Sequence, residues 1–331
     1  MPITTTTLAD TYQTYFSKQL LDHAVQKVVL DQFGLKADLP KKKGSKTIRW
    51  FRPGAGDASQ VQTLSEATPI STFRTITYSY VEATLAQYGE AAKISDIVTM
   101  TELFDALKQA IETMGEDCAL HADNVIRAVL SHASTGLSKR YSGGAADFAA
   151  MMALSLANGK ATAVDILDAV TKLGINRAPK LGAAYVCMLP LQIQRDLLRD
   201  ADLLDPAKYQ DKSHIAKGEL GMVWGARMVE HSNPHTEDET EGTHASTFSA
   251  AGTNTTGFIY STYIVGRGAY GVPKLEGSKS PQRPSIIINN KPDKSDPLNQ
   301  FMTAGWKSFF TAKVLNPNFG ICLRSKSTFV G

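Results

Sequence analysis

The chain has 331 residues, 43% of them hydrophobic, enough to bury one large or two ordinary cores. Lysine and arginine total 35 against 32 aspartates and glutamates, a net charge of +3, which argues against a dedicated DNA-binding protein. Cys118, Cys187 and Cys322 are odd in number and far apart, so neither a disulfide framework nor a Cys-x-x-Cys zinc site is expected.

Residues 1–40 open with the arm MPITTTTLADTYQTYF, which has neither the basic start nor the apolar core of a secretory signal. A short amphipathic stretch follows, from about Tyr15 to Phe33. An arm this polar becomes ordered mainly by lying on something else. After the basic run Lys41, Lys42 and Lys43, alternating residues predict strands at Thr47–Phe51 and Thr72–Val81. The polar stretch between them, with Pro53, Gly54, Gly56 and Asp57, makes a tip of about 20 residues, long enough to suggest a functional or partner-ordered segment. The whole reads as a hairpin that projects from the body.

Tyr88 to Asp96 supplies capping candidates for the longest helical pattern in the chain, Thr99 to Ala133. Its apolar residues recur at spacings of three and four, from Met100 and Leu103 to Leu130 and Ala133, while Glu102, Lys108, Glu112 and Glu116 mark a wet face. That polar face excludes a membrane span. Helices are then predicted over 145–156 and 163–173, a buried strand at 184–189 and a helix from Leu191 to Asp200, together a mixed α/β unit. The stretch GELGMVWGARMVE (218–230) reads as turns leading into a strand, and residues 231–257, almost without large apolar side chains, as an exposed loop. Strands are predicted at 258–265 and 285–289, and a closing hairpin from 306–314 and 318–324 across Asn316-Pro317.

The search for catalytic chemistry comes back empty. Gly266 to Gly271 fits G-x-G-x-x-G after a strand, but Val272-Pro273 follows where a dinucleotide site needs a helix, so a glycine-rich turn is expected. His231, His235, Asp238, Glu239, Glu241 and His244 could form a metal cluster, yet Pro234 keeps the first two histidines off a common helix, which favours a solvated loop. Cys118 and His121 lie one helical turn apart on the packed side of the long helix and read as core or flank residues. Lys41, Lys42 and Lys43 could meet nucleic-acid phosphates, but a solvated turn or a salt contact with a neighbouring chain serves as well. No Walker loop, nucleophile elbow or His-Glu-x-x-His motif occurs, so no catalytic residue, cofactor or metal is assigned.

The order of arm, projecting hairpin, long helix, α/β unit and closing β-hairpin resembles the major capsid protein of tailed double-stranded-DNA phages, with its α+β, Hong Kong 97-like fold. LSEATPI (64–70), QYGEAAKISDIV (87–98), YVCMLPLQIQRDLL (185–198), GELGMVWGARMVE (218–230), YIVGRGAYG (263–271) and DPLNQFMTAGWKSFFTAKVLNPNFGICLRSKS (296–327) resemble the group typified by coliphage N-four. The resemblance implies an N-terminal arm at 1–43 and an extended loop at 44–92 that lies over the adjacent subunit. It implies a peripheral domain at 93–159 and 286–331 with helix 99–133 as its spine, and an axial domain at 160–285. Lys41, Lys42, Lys43, Trp50, Arg52, Glu66, Phe73 and Arg74 are the residues expected at inter-subunit contacts.

On that resemblance the chain is a structural, non-enzymatic virion protein, assembling in the host cytoplasm into pentamers and hexamers of an icosahedral shell. Its implied partners are further copies of itself, a separate scaffolding protein, the portal, a cement or decoration protein, and packaged double-stranded DNA held by weak contacts; no membrane is involved. Two alternatives are an encapsulin-type nanocompartment shell and an α/β enzyme with its site in residues 160–275.

Overall fold

The computed structural model describes residues 29–39, 46–53, 61, 63–64, 66, 69, 73, 75–101, 106–200, 221–238, 240–245, 257–275, 285–289 and 300–329. The helical pattern over 99–133 is realised as Asp96–Thr101 (α1) and Ala106–Ser131 (α2). Residues 102–105, between the two helices, lie outside the described residues, and at about 1.5 Å per residue α2 alone spans roughly 39 Å. It stops before Ala133 because the His132 imidazole takes up the next amides: its Nδ1 accepts from Ser134 N at 3.3 Å and Thr135 N at 3.2 Å. Leu137 N then returns to Leu130 O at 3.0 Å.

The buried stripe of α2 serves two sheets. Its first half, Ile111, Met114 and Cys118, packs on Ala304 and Trp306 of a three-stranded sheet. That sheet has the order Ser285–Asn289 (β12), Phe301–Phe310 (β13), Ala86–Ser95 (β4). Its second half, Ala122, Ile126 and Leu130, packs on Tyr263, Val265 and Cys322 of a seven-stranded sheet. The order there is Ser138–Tyr141 (β5), Gly320–Lys326 (β15), Ile259–Val265 (β10), Tyr185–Pro190 (β6), Ala226–His231 (β8), Met222–Val223 (β7), with His235–Glu237 (β9) on β10.

Both faces of the seven-stranded sheet are covered, which is why β6, β10 and β15 are buried along their whole lengths. Alternate side chains point to α2 on one side. The others, Cys187, Leu189, Ile264 and Leu323, meet Ala163–Ile175 (α4) and Leu191–Leu198 (α5) through Ile166, Leu173, Ile193 and Leu197. Local sequence sets the starts of these helices. Thr162 and Asp165 form a reciprocal capping box at α4, and Asp147 accepts from Ala150 N at 2.8 Å to cap the short helix Phe148–Ala153 (α3). A third sheet joins Leu35–Leu39 (β1), Tyr270–Leu275 (β11) and Lys313–Val314 (β14), and Thr47–Pro53 (β2) pairs with Tyr78–Thr84 (β3).

Three expectations are corrected. The closing hairpin does not form: β13 pairs with β4 over Phe301–Phe310, while β15 crosses to the other sheet and pairs with β10 and β5. Tyr88 to Ser95 is strand rather than a capping segment, because a ten-residue ladder with β13 overrides a sequence poor in strand formers. The second strand of the projecting hairpin is Tyr78–Thr84, not 72–81. Its register runs from Thr47↔Thr84 to Pro53↔Tyr78, and Pro53, with no N–H to give, stands at the end of the described ladder. The G-x-G-x-x-G segment is the turn between β10 and β11, with Gly268 at φ +78°.

Candidate interaction surface

Among the described residues, the β2–β3 hairpin carries a group of exposed aromatic side chains. Its alternation sorts side chains onto two faces. The inward face carries Ile48, Trp50, Val81 and Ala83, and Trp50 anchors it: a Cβ on Gly271 would lie 2.9 Å from the Trp50 ring, so only glycine lets the indole seat there. The indole N–H is buried without an acceptor among the described residues. The outward face carries Phe51, Tyr78 and Tyr80, which are 69%, 68% and 57% exposed. Phe51 and Tyr80 rings are 6.5 Å apart, Arg49 lies 5.1 Å over the Tyr80 ring, and Arg49 is also ion-paired with Glu82. Near its base a cleft of about 440 Å³, lined by Glu82, Ala83, His132 and Lys313, separates the hairpin from α2 and β14.

Of the residues expected at inter-subunit contacts, the structure brings Trp50 and Arg52 together on the hairpin. Trp50 lies against Gly271 of the body; Arg52 is exposed, its carbonyl accepting from Ser79 Oγ at 3.4 Å. Glu66 and Phe73 are exposed on the stretch joining the two strands. Lys41, Lys42, Lys43 and Arg74 lie outside the described residues. Phe51, Tyr78 and Tyr80 were not among the expected contacts, although the alternation Arg49-Trp50-Phe51 opposite Tyr78-Ser79-Tyr80 carries the signal for an aromatic face.

The exposed loop expected at 231–257 is corrected over residues 231–238, while residues 246–256 lie outside the described residues. His231, His235, Glu237 and Asp238 are buried, and β9 is paired with β10. Arg324 explains this. Fully buried on β15, its guanidinium donates to Glu237 Oε1 at 2.8 Å, to Ser131 O at 3.0 Å, and to Glu241. Glu241 also accepts from Lys139 and from Tyr141 Oη, the latter at 2.7 Å. Burial opposes its charge, but these bonds and the Arg324 charge outweigh it and hold the Glu241 carboxyl below its usual pKa.

Along the same seam, His231 Nε2 lies 3.1 Å from Asp123 Oδ2, whose other oxygen accepts from Leu30 N at 3.3 Å. Arg127 donates to Asn233 Oδ1 at 2.6 Å and Pro234 O at 2.9 Å. The histidines therefore serve internal carboxylates, and among the described residues no three His, Cys, Asp or Glu side chains gather as metal ligands would. Cys118 is buried, with its thiol pushed up to about 12 by burial and by Glu90, and His121 stacks edge-on to Tyr88 at 4.4 Å. Neither is set up as a nucleophile–base pair.

No protein-family model matches the sequence, and no curated protein matches it. Solved structures do. The capsid of the cyanophage P-SCSP1u is similar at 16% identity with a TM-score of 0.64, over 91% of this chain and 89% of that one. The capsid of Ralstonia phage GP4 is similar at 14% identity and TM-score 0.63, over 92% of each chain. The head structure of Helicobacter pylori bacteriophage KHP40 follows at 12% and 0.64, over 88% and 87%. At these identities the likeness establishes architecture: the chain has the Hong Kong 97-type capsid fold.

Proposed function

We propose that the chain is the major capsid protein of a tailed double-stranded-DNA phage of the N-four-like group, forming the pentamers and hexamers of an icosahedral head. The observation that carries this reading is a fold shared with phage capsids over about nine-tenths of the chain, joined to a hairpin whose aromatic face is exposed among the described residues. An isolated two-stranded hairpin is marginal in water, so a neighbouring copy is the natural cover. Repeated head-to-tail contacts of this kind close into rings, and many modest contacts hold a shell together.

Within this proposal residues 1–43 are the arm, 44–92 the extended loop, 93–159 with 286–331 the peripheral domain, and 160–285 the axial domain. The pairing of Gly320–Lys326 with Ile259–Val265 favours counting that last strand with the axial domain. A separate scaffolding protein, a portal and a cement protein are the proposed partners, with assembly in the host cytoplasm.

The test is negative-stain electron microscopy of the full chain, expressed alone and then mixed with lysate from phage-infected cells. Closed shells of uniform size that contain DNA are expected. Shells filled with protein cargo instead would favour a nanocompartment, and a stable monomer under both conditions would overturn the shell reading and turn attention to an enzyme site in residues 160–275.

A further inference from the structure

We propose that Lys172, Arg177, Lys180 and Arg267 form a contact surface for the phosphate backbone of double-stranded DNA. Three segments distant in sequence converge beyond the C-terminal end of α4. Arg267 N donates to Pro179 O at 2.8 Å, Gly266 N to Phe319 O at 2.9 Å, and Asn176 Nδ2 to Asn318 O at 3.1 Å. The segments are KLGINRAPKLGAA (172–184), GRGAY (266–270) and LNPNFG (315–320), and none contains an aspartate or glutamate. All four cations are exposed. The carboxylate one helical turn before Lys172, Asp168, is taken by Arg140. Like charges with no counter-charge on their own segments raise the local potential and favour an anion from solution.

The backbone at Arg177 adds an independent sign. Ala178 N returns to Leu173 O at 3.0 Å and Arg177 N to Gly174 O at 2.9 Å, the bond pattern that ends a helix with a residue in the left-handed region. Arg177 occupies that position with φ +52°, where glycine fits without steric cost. A cation near a helix C-terminus is favoured by the helix dipole, but Lys172 already lies in the last turn, and the dipole gives no reason for Arg267 to join from another loop.

The shape of the opposing charge decides the partner. An acidic surface on a second copy would be the alternative, but in the acidic run 237–241 the described carboxylates are engaged within the chain: Glu237 and Asp238 are buried, and Glu241 is held by Lys139 and Arg324. Double-stranded DNA offers one phosphate per about 1.7 Å of axis and needs no shape match, so a few cations per subunit give weak contacts that many subunits multiply. The choice of DNA rests on the capsid reading.

The experiment is fluorescence anisotropy of a labelled random-sequence 24-base-pair duplex (a length on the order of two helical turns) titrated with unassembled full-length chain across a salt series. The native protein is expected to lose affinity with salt at a log–log slope approaching about −3.6 for four contacts. Arg177→Gly with Lys180→Gln should lower affinity several-fold and reduce the slope by about 2. Arg177→Gly relieves the backbone, so its thermal midpoint should be equal to or above the native one, which separates lost binding from lost folding. Unchanged affinity and slope in the double variant would overturn the proposal, as would displacement of the duplex by polyglutamate at lower concentration than by unlabelled duplex, which would point to an acidic protein. Binding is read on subunits, so closed particles whose DNA affinity ignores the double variant would remove this inference and leave the capsid reading standing.

Discussion

The seam behind α2 and the β2–β3 hairpin invert the usual distribution of side chains. In the seam, Asp123, His231, His235, Glu237 and Arg324 are almost wholly buried, while Phe51, Tyr78 and Tyr80 on the hairpin stand in solvent. Charges survive burial in the seam because most find partners inside the chain: Arg324 with Glu237, Glu241 and Ser131 O, His231 with Asp123, His235 with Glu237. The aromatic face is exposed among the described residues. One region is completed by folding, and the proposed function gives the other to association.

The largest expected effect comes from breaking the seam. Arg324→Ala leaves Glu237 buried beside His235 with no cation and should cost about 3–5 kcal/mol, read as a lower urea midpoint. A loss under about 1 kcal/mol would mean that the seam is not what orders β9 and β15.

Acid should act on the same region more gently. Burial, then Arg127 and His235, holds the His244 pKa below its ordinary 6.5, and burial does the same at His121. The unfolded chain therefore binds more protons at those sites. Their contribution is intact above the ordinary histidine value and is lost as the pH falls below it. Glu241, whose folded pKa is depressed, adds a loss as the pH falls from its unfolded value through its folded one. Asp31, raised by burial against the pull of Lys36, offsets part of this at the acid end. Thermal midpoints should drop between pH 7.5 and 5, a range on the order of two units that brackets the histidine reference value, and His244→Gln should flatten that dependence. A native profile level across the range would contradict the direction of these shifts.

The smallest effect on folding belongs to the hairpin. Phe51→Ser with Tyr78→Ser removes surface that folding does not bury, so urea unfolding should shift by no more than about 0.5 kcal/mol. The same double variant should fail to form closed particles in the microscope. A large loss of stability would show that the subunit itself uses this face, and the contrast between the regions would collapse.

Much of the fold was legible from neighbouring residues. The stripe Ile111, Met114, Cys118, Ile126, Leu130 announces a packed helix, the Thr162–Asp165 capping box marks the start of α4, and the unbroken run Tyr185–Leu189 reads as a strand covered on both faces. The candidate surface was legible only in part. Its strands alternate visibly, but the seat of Trp50 is not legible there, because it is Gly271, more than two hundred positions away.

By itself the sequence determined most of the helices, the covered strand of the central sheet, the first strand of the hairpin and the turn at Gly268, since periodicity, capping and glycine freedom act over a few residues. Only the tertiary structure decided that β13 joins β4 and β15 joins β10, and that the polar stretch from His231 to Asp238 lies inside. The reason is physical. A strand's partner and a buried charge's counter-ion are chosen by contacts across long stretches of chain, and Glu237 reads as a solvent residue until Arg324 is brought to 2.8 Å from it.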